Sequence, residues 1–585
     1  MNALVLDGHS RAAVEVLHAL TDRSVAVDVA SERDCLAFQS RRIRNRLRQP
    51  QVEQTGAAFI EWLRKVDRES PYALIVPSSE MSLYPFLTLG ESDPLKKKAV
   101  LPSSESLRTA LNKLLTLETA LKLQIPVPRT RFVSPGAVIP ESDSYPVVLK
   151  PISSLVQNGH FEAVRPVVAK DECQRKRHLE SMLKKCAVLQ QEHVAGRGIG
   201  VEMLYCHGKL VWHFAHERLH EGYGSPGLGS GSTYRRSITP SAALLRHSKE
   251  LLDALKWHGV AQVEFKVADD GRCWLMEINP RFWGSLALAI DSGVDFPWGL
   301  LCLALGNQLP PQPDYKIHHY TRHLSADLNW LWTRVVRQGD SKAFVESLRL
   351  LRPLIGAETW DHFDWKDHVL FQDLSNFFSE KMRSARKQLS VARRRRLALK
   401  MHKENLRKLV GSGRTAGKWL FLCYGNICRS PVAASIAKQL YPQTDICSAG
   451  FYPVARRGCP DHVQQVAQRY LIDLSGWSST RVDVDMVRQA DAIFLHDIRD
   501  FENFCGQFDG HKDKVLFLGQ FADKPTLEIR DPYLSDDKET ADIMRVVSES
   551  VRGLKAKLVP GASPGTHLTR PTEAIAEQAE KMTLR

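Results

Sequence analysis

Several classes of protein are excluded by what the sequence lacks. No apolar run is long enough to cross a bilayer, and the best candidate, residues 298–305, predicts a short buried helix. The N-terminus lacks the basic stretch and the apolar stretch of a signal peptide. The eleven cysteines form no CxxC pair, which disfavours a disulfide framework or a zinc site. We therefore expect a cytoplasmic protein with reduced thiols.

An excess of glycine or proline is also missing, so the composition is that of an ordinary globular protein. The net charge of +14 is concentrated in one segment, because residues 381–408 hold twelve lysines and arginines against a single acid, Glu404. Such a local charge does not favour a protein that is built throughout to hold nucleic acid.

The length of 585 residues and the order of apolar runs predict an α/β protein of several domains. A strand–turn–helix–strand pattern at the start predicts a Rossmann-like domain, whose Gly8-x-Ser10 turn is not a dinucleotide-binding fingerprint. The expected divisions are an N-terminal domain at 1–100, a second domain at 101–310, a helical basic linker region at 311–416, a further α/β domain at 417–558 and a flexible tail at 559–585.

The basic segment leaves three interpretations open. Residues 381–410 have a helical pattern, and a solvated linker helix, a patch for an anionic membrane surface and a nucleic-acid contact would all carry this charge. Few aromatic side chains stand among the charges, which makes nucleic acid the least favoured partner.

A strand, a loop and a helix near residue 423 predict an anion site. The apolar residues 419–422 lead into Cys423-Tyr-Gly-Asn-Ile-Cys-Arg429-Ser-Pro, and a helical pattern follows. The backbone N–H groups of such a loop and the helix N-terminus point at one anion, and the same donors stabilise a thiolate. The Arg429 guanidinium can hold two phosphate oxygens.

Other residues of this motif suit phosphate-ester chemistry. The Ser430 hydroxyl can donate to the thiolate, and the Asn426 side chain can pin the loop. Gly425 permits an unusual backbone turn. An acid is still needed to protonate the leaving oxygen, and Asp531, in Arg-Asp-Pro-Tyr, is the candidate.

Residues 417–558 resemble the low-molecular-weight protein tyrosine phosphatases, which share C-x-G-N-x-C-R-S-P, the Ser-Ala-Gly found here at 448–450, and a distant D-P-Y. The resemblance implies an α/β fold with a parallel sheet and a phosphocysteine intermediate. It implies Cys423 as nucleophile, Arg429 as phosphate ligand and Asp531 as general acid. It also implies that Cys428 can form a protective disulfide with the nucleophile.

The sequence departs from that family at two places. Tyr424 stands where the family often has leucine, and Arg456-Arg457 lies in the loop where the family places specificity residues. The double arginine is explained equally well by an acidic substrate and by simple solvation.

Residues 101–310 carry a second set of polar positions on apolar strands. The segments 259–265 and 274–281 read as neighbouring strands that place Glu264, Glu277 and Asn279 on one side. Two carboxylates and an amide at this spacing suit Mg²⁺ bridged to phosphates. Polar side chains at such positions are costly unless they have a role.

Residues 1–310 resemble the ATP-grasp superfamily near its carbamoyl-phosphate synthetase and biotin carboxylase branch, and Glu277-Ile-Asn-Pro-Arg281 is the most specific piece. The resemblance implies a Rossmann-like cap plus an ATP-grasp α+β fold. It implies these contacts: Lys113 and Lys150 at the phosphates of ATP, Glu192 and Val194 at adenine, Glu264, Glu277 and Asn279 at Mg²⁺ or Mn²⁺, and Arg281 at an acyl-phosphate transition state. The loop 151–159 departs from the family because it holds a single glycine.

Residues 216–220, His-Glu-Arg-Leu-His, fit the pattern of zinc proteases, which requires a helix. A strand-like run, 210–214, precedes them and a glycine-rich loop, 222–232, follows, so we do not expect zinc here. We expect Arg218 and this loop to line the pocket of the acceptor substrate instead.

Together these signals predict a bifunctional enzyme that joins ATP-dependent carboxylate ligation to phosphomonoester hydrolysis. The expected substrates are a small carboxylate and a nucleophile for the ligase, and a phosphorylated metabolite or a phosphotyrosine protein for the phosphatase. Two alternatives stay open: a signalling protein tyrosine phosphatase with a regulatory nucleotide-binding part, and a scaffold in which both sites are relics. The complete metal set and the intact Cys-x5-Arg loop disfavour the scaffold.

Overall fold

The computed structural model describes residues 1–558 apart from 54, 138–143, 159, 222–231, 338, 340–357, 365–366 and 414–416. The chain forms two compact units, Met1–Glu380 and Lys381–Arg585. The tail expected at 559–585 and most of the glycine-rich loop expected at 222–232 lie outside the described residues.

The first unit opens with a parallel sheet in the order β3-β2-β1-β4. Its strands are β1 (Asn2–Val5), β2 (Ala26–Ser31), β3 (Ile43–Arg48) and β4 (Leu74–Val76). The strand–helix–strand prediction is therefore confirmed. β3 was not expected, because its alternation of isoleucine, leucine and arginine leaves it largely exposed and gives a weak apolar signal.

Two further sheets and a hairpin complete the first unit. A four-stranded antiparallel sheet has the order β5-β10-β6-β9, and a mixed seven-stranded sheet has the order β15-β14-β11-β12-β13-β16-β17. Their strands, with the hairpin β7–β8, are β5 (Thr130–Val133), β6 (Val147–Pro151), β7 (Leu155–Asn158), β8 (His160–Ala163), β9 (Val167–Ala169), β10 (Val188–Glu192), β11 (Arg197–Cys206), β12 (Lys209–Glu221), β13 (Ser232–Ser237), β14 (Gly259–Val267), β15 (Cys273–Asn279), β16 (Tyr320–Arg322) and β17 (Thr359–Trp360).

Helices cover these sheets with apolar faces. The α-helices of the described part of this unit are Arg11–Asp22, Ala57–Glu69, Glu80–Leu83, Pro94–Ala99, Ser104–Leu111, Lys113–Lys122, Glu172–Leu183, Ala242–Ala254, Leu286–Ser292, Phe296–Ala304 and Leu324–Trp332, with 3-10 turns Ala37–Gln39 and Tyr84–Thr88 and a π turn Thr333–Arg337. The buried helix expected at 298–305 is confirmed as Phe296–Ala304. Within the described residues no single helix meets the length and hydropathy of a membrane span, whereas Leu286–Ser292 with Phe296–Ala304 does so as a pair bent by 91°.

The region expected as a helical linker, 311–416, differs from that expectation. β16 pairs with β13 and β17 pairs with β16, so this region extends the large sheet. Strands of two or three residues carry no periodicity, which explains why the sequence did not reveal them. The helix expected at 381–410 is present within a longer one, Val369–Gly411.

The second unit contains a parallel sheet in the order β19-β18-β20-β21. Its strands are β18 (Lys418–Cys423), β19 (Asp445–Gly450), β20 (Ala492–Leu495) and β21 (Val515–Phe517). The helices around it are Arg429–Leu440, Asp461–Gln468, Val484–Gln489, Ile498–Phe508 and Asp537–Leu558, with 3-10 turns Asp509–Lys514, Leu518–Phe521 and Pro532–Leu534.

The central strand β18 holds this unit together from both faces. Trp419 and Phe421 enter one apolar core, and Leu420 and Leu422 enter the other. Alternation of this kind follows from the two-residue period of a strand. It anchors the next residue, Cys423, at the carboxyl end of the strand, where parallel sheets commonly place ligand sites.

Helix Asp537–Leu558 packs closely on the turn Leu518–Phe521 at Gly553. A Cβ at residue 553 would overlap the carbonyl oxygen of Phe521. We expect Gly553→Ala to destabilise the second unit by roughly 1–3 kcal/mol, the cost of overpacking. Calorimetry of the intact chain should record a lower unfolding temperature for that unit.

Gly506→Ala is the matched control for this prediction. Gly506 lies in helix Ile498–Phe508, and nothing is within 4 Å of the added Cβ. Alanine should stabilise this helix by about 0.5–1 kcal/mol relative to glycine. Equal unfolding temperatures for the two variants would contradict the close packing at Gly553.

Candidate active sites

The first candidate site is the loop between β18 and helix Arg429–Leu440. The Cys423 sulfur accepts a hydrogen bond from the Asn426 backbone N–H at 3.3 Å. The Ser430 hydroxyl lies 3.1 Å from the same sulfur. The loop therefore wraps around the sulfur, as an anion-binding loop at a helix N-terminus does.

Asn426, and not Gly425, takes the unusual backbone conformation of this loop. Asn426 has φ +51°, in the left-handed region that asparagine tolerates better than most residues. Its amide donates to Ser430 and to Ser448, at 3.0 and 3.1 Å, and its carbonyl oxygen accepts from the Thr480 backbone N–H at 2.8 Å. These hydrogen bonds are the means by which the Asn426 side chain can pin the loop. Gly425 instead leaves room for a neighbouring side chain.

The Arg429 guanidinium is buried at the mouth of the loop, with 2% of its surface exposed. Its Nη1 donates to the Asp497 carboxylate and to the Ile529 carbonyl oxygen, the latter at 2.8 Å. Its Nη2 lies 3.3 Å from the Asp531 carboxylate. The structure therefore brings Cys423, Arg429 and Asp531 to one place, although they are spread over more than a hundred positions of the chain.

Two carboxylates around Arg429 were missed by the sequence reasoning. Asp497 caps helix Ile498–Phe508, and Asp500 lies in its first turn with an oxygen 3.8 Å from Arg429 Nη2. Burial, reinforced by Asp497, raises the pKa of Asp500 to about 8, although Arg429 opposes the shift. An available signal was the pair of acids that directly follows β20, the neighbour of β18.

The electrostatics of Cys423 are less one-sided than the sequence indicated. Burial raises the pKa of the Cys423 thiol, Arg429 lowers it and Asp500 raises it further. The easy loss of its proton therefore requires that Asp500 be neutral, which its own raised pKa permits near neutral pH. Burial also raises the pKa of Cys428, the second thiol of the loop.

Two tyrosines adjoin this loop, and an arginine guanidinium lies over the ring of each. The rings of Tyr424 and Tyr452 meet edge to face, with centroids 5.7 Å apart. Arg499 lies over the Tyr424 ring at 4.4 Å, and Arg457 lies over the Tyr452 ring at 3.9 Å. We name these four side chains the arginine–tyrosine rim.

The second candidate site lies in the first unit, on neighbouring strands β14 and β15. Glu264 pairs with Glu277, and Gln262 pairs with Asn279, so all four side chains share one face of the sheet. The Asn279 amide donates to the Glu264 carboxylate at 2.9 Å. The predicted juxtaposition of two carboxylates and an amide is therefore present.

Cations surround these carboxylates. Lys113 Nζ lies 3.3 Å from Glu277, and Arg218 pairs with Glu264. Burial alone would raise the pKa of Glu277, but Lys113, Lys150 and Arg218 lower it to about 2. Glu277 is therefore ionised, which a hard divalent cation requires of a carboxylate ligand.

The lysines and Arg281 complete the polar cluster. Burial opposes the charged form of Lys113, but Glu277 and Glu80 together outweigh it and raise the pKa of this lysine. At Lys150 burial prevails and lowers the pKa. Arg281 lies 3.5 Å from the Asn279 side-chain oxygen and 3.9 Å from Glu80. An excess of cations beside two carboxylates suits the phosphates of a nucleotide together with Mg²⁺.

The predicted adenine contacts lie on β10 and just beyond it. Glu192 ends this strand, and its carboxylate accepts from the backbone and from the side chain of Arg129, at 2.9 and 2.8 Å. Val194 follows in the segment between β10 and β11. Glu192 is thus already engaged by Arg129, a partner that the sequence did not indicate.

The zinc-protease pattern at 216–220 lies on strand β12, which confirms that it lacks the required helix. His216 pairs with Glu202, and His220 pairs with Asp327, each at 2.7 Å. Arg218, expected at an acceptor pocket, pairs with Glu264, and its place at such a pocket stays a prediction.

One further group of possible metal ligands is found among the described residues. Cys206, His207 and His258 offer ligand atoms within 4.8 Å of one another at the β11–β12 turn. However, His258 Nδ1 already accepts from the His207 backbone N–H at 3.2 Å, and the two rings stack at 4.2 Å. A histidine that binds a metal usually donates a hydrogen bond from its other ring nitrogen. His258 accepts one at Nδ1, so this geometry does not favour an ion.

Family models match both candidate sites. Residues 418–561 match "Low molecular weight phosphotyrosine protein phosphatase", and residues 185–323 match "ATP-grasp in the biosynthetic pathway with Ter operon". A crystal structure of L-amino acid ligase from Bacillus licheniformis is 16% identical, with a TM-score of 0.40, and the match covers 52% of this chain and 74% of that one.

Curated relatives match the second unit. The low molecular weight protein-tyrosine-phosphatase Ptp of Acinetobacter johnsonii is 32% identical over 20% of this chain and 80% of its own length. Wzb of Escherichia coli K12, named in the same way, is 27% identical over 23% of this chain and 89% of its own length. The chain is an enzyme that carries an ATP-grasp segment, and through its second unit it belongs to the low-molecular-weight protein-tyrosine-phosphatase family.

Proposed function

We propose that the chain hydrolyses phosphate monoesters through a phosphocysteine at Cys423 and ligates a carboxylate at the expense of ATP in its first unit. The observation that carries the first activity is the Cys423 sulfur held between the Asn426 N–H and the Ser430 hydroxyl, with Arg429 beside it. These groups are what a phosphoryl transfer to sulfur needs: a nucleophile, N–H donors and a fixed guanidinium.

The proposed hydrolysis has two steps. The Cys423 thiolate attacks phosphorus, the phosphorus–oxygen bond breaks, and Asp531 gives its proton to the leaving oxygen. Water, deprotonated by Asp531, then attacks the phosphocysteine and releases inorganic phosphate. The Ser430 hydroxyl, 3.1 Å from the sulfur, stabilises the departing thiolate. Arg429 binds the equatorial phosphate oxygens throughout.

The proposed ligation uses the polar cluster on β14 and β15. Glu264, Glu277 and Asn279 would hold Mg²⁺, which neutralises the phosphates of bound ATP. Lys113 and Lys150 would contact those phosphates, while Glu192 and Val194 would lie at the adenine. Arg281 would stabilise the charge that develops as a carboxylate becomes an acyl phosphate. A small carboxylate and a nucleophile are its proposed substrates.

One chain with both activities is explained in two ways: both sites handle the same phosphorylated molecule, or the phosphatase acts on a separate partner. An ATP-grasp ligase releases inorganic phosphate by itself, so it needs no phosphatase. If a ligase substrate or product carries a phosphate ester, tethering raises the local concentration of that intermediate at the other site. The second candidate is a signalling phosphatase with a nucleotide-sensing first unit. The phosphatase family match is the observation that favours it.

Replacing the nucleophile tests the phosphocysteine mechanism. Cys423→Ser should abolish hydrolysis of p-nitrophenyl phosphate, because the hydroxyl is a far weaker nucleophile than the thiolate, and yet vanadate should still bind. Steady-state kinetics and titration calorimetry measure the two properties. Cys505→Ser, in helix Ile498–Phe508, is the control and should keep its activity. Substantial turnover by Cys423→Ser would refute the mechanism.

The raised pKa of Asp500 predicts a loss of activity at alkaline pH. Above pH about 8 the carboxyl ionises, repels the Cys423 thiolate and the substrate dianion, and lowers kcat/KM. Asp500→Asn should extend the activity plateau upward, because the amide stays neutral. The pH profile of kcat/KM measures this effect, with the exposed Asp485→Asn as control.

The same group also links stability to pH. The folded chain holds the Asp500 proton more tightly than the unfolded chain, so its contribution is present below pH about 4 and is lost as pH rises through about 8. If the pH profiles of kcat/KM are identical for Asp500→Asn and the parent chain, Asp500 does not cause the loss of activity at alkaline pH.

The metal set of the first unit is tested by Glu277→Gln. Loss of one carboxylate should weaken Mg²⁺-dependent binding of a non-hydrolysable ATP analogue by roughly 10–100-fold. The exposed Glu69→Gln is the control and should bind as the parent does. Titration of the intact chain gives both affinities, and equal affinities would exclude Glu277 as a ligand.

Turnover separates the ligase from the sensor. In the Cys423→Ser background, which removes the phosphatase, ADP release should depend on an added carboxylate pool. Binding of the nucleotide without any such release would favour the signalling alternative.

A further inference from the structure

The arginine–tyrosine rim lies directly beside the nucleophile. Tyr424 follows Cys423 in the chain, and its backbone carbonyl accepts from the Tyr452 N–H at 2.8 Å. Arg457 donates from Nη2 to the Gly425 carbonyl oxygen at 2.8 Å, which ties the rim to the phosphate loop itself. The rim therefore borders the loop that a substrate phosphate would enter.

Some arginines of the second unit are neutralised by carboxylates, and the two arginines of the rim are not among them. Arg394, Arg395, Arg429 and Arg530 each pair with a carboxylate. Within the described residues no carboxylate pairs with Arg457 or Arg499. The positive charge of Arg499 is thus not paired with a carboxylate of the described chain.

Arg499 and Arg457 have different tasks. Arg457 is half-buried and braces the loop through Gly425, so its head is already occupied. Arg499 is exposed in the first turn of helix Ile498–Phe508, and its guanidinium lies over the face of Tyr424. Stacking on a ring orients a guanidinium and still leaves its N–H edge free to bind a carboxylate.

Further polar and aromatic groups continue the same surface. Arg456 is exposed next to Arg457, and its backbone N–H donates to Ser479 at 2.8 Å, which fixes its position despite a φ of +59°. Tyr533, two residues after Asp531, is 51% exposed. The entrance therefore combines aromatic faces, which suit an aryl ester, with cations that suit carboxylates around it.

We propose that the rim makes the phosphatase site select phosphotyrosine within an acidic protein segment, with Arg499 binding a carboxylate next to the phosphotyrosine. The proposal rests on the phosphatase activity proposed above and names the class of its substrate. Arg499 offers its N–H edge, and the exposed Arg456 stands next to Arg457 in the chain; such separately placed cations match carboxylates on separate residues better than they match one compact metabolite. Arg499 is therefore a specificity residue and not a catalytic one.

The test compares two phosphotyrosine peptides of equal length, one flanked by glutamates and one by alanines, with p-nitrophenyl phosphate as reference ester. The full-length chain should have a higher kcat/KM for the acidic peptide, mainly through KM. Arg499→Gln should lower the ratio of the two kcat/KM values about two- to fivefold, the range of an exposed ion pair. Arg499→Lys should retain part of the ratio, because it keeps the charge and loses the planar stacking.

A charge-matched control separates the rim from the general field of the protein. Arg488→Gln removes an exposed arginine that pairs with Asp485, away from the loop, and should leave the ratio unchanged. Added salt should lower the ratio in the parent chain, because it screens exposed charges.

The outcomes are distinct. Equal kcat/KM values for the two peptides, with p-nitrophenyl phosphate still hydrolysed, would overturn the rim proposal and leave the phosphatase intact. No hydrolysis of any of the three esters would instead overturn the proposed function. Equal falls of the ratio in Arg488→Gln and Arg499→Gln would assign the effect to net charge and overturn the rim, as would an Arg499-dependent preference seen only with small acidic phosphate esters.

Discussion

The second unit depends on one buried cation, Arg429. A guanidinium with 2% exposure is costly to desolvate, and only hydrogen bonds and opposite charges make its burial tolerable. Asp497 supplies them from one part of the chain, and the Ile529 carbonyl and Asp531 supply them from another. The arrangement of loops at the carboxyl end of the sheet therefore follows from the need to satisfy one side chain. A phosphate dianion is the natural further partner for such a cation.

In the first unit it is neighbouring carboxylates, and not a buried cation, that opposite charges stabilise. There two carboxylates, Glu264 and Glu277, lie side by side on β14 and β15, where their repulsion must be offset. Lys113 and Arg218 provide that compensation, so Glu277 stays ionised although it is partly buried. In each site, ion pairs between side chains balance the charges. A phosphate-bearing substrate would rearrange these ion pairs, so binding would be coupled to a change in the local pairing.

Motifs whose residues lie close together in the chain were predictable, and partners distant in the chain were not. The Cys423–Arg429 loop and the Glu264–Glu277 strand pair follow from short patterns that fix local geometry. Asp497 and Asp500 depend on which strand neighbours β18, and no local pattern states that order. The short strands β16 and β17 escaped for a related reason, because they exist only through pairing with a sheet built elsewhere. The assignment of the unusual turn to Gly425 was wrong, since asparagine can adopt the left-handed conformation when its side chain is held.

The charge at the entrance of the phosphatase site can be weighed against the charge inside it. Arg429 faces three carboxylates, so the interior offers little net attraction at long range until a proton, such as that on Asp500, offsets one of them. The exposed arginine of the rim, Arg499, meets no such opposition from a paired carboxylate among the described residues, and it would act on an approaching anion first. Attraction at the rim and recognition of the phosphate within the loop are then separate steps, governed by different residues. Substrate choice can therefore change through Arg499 and its neighbours while the chemistry at Cys423 stays the same.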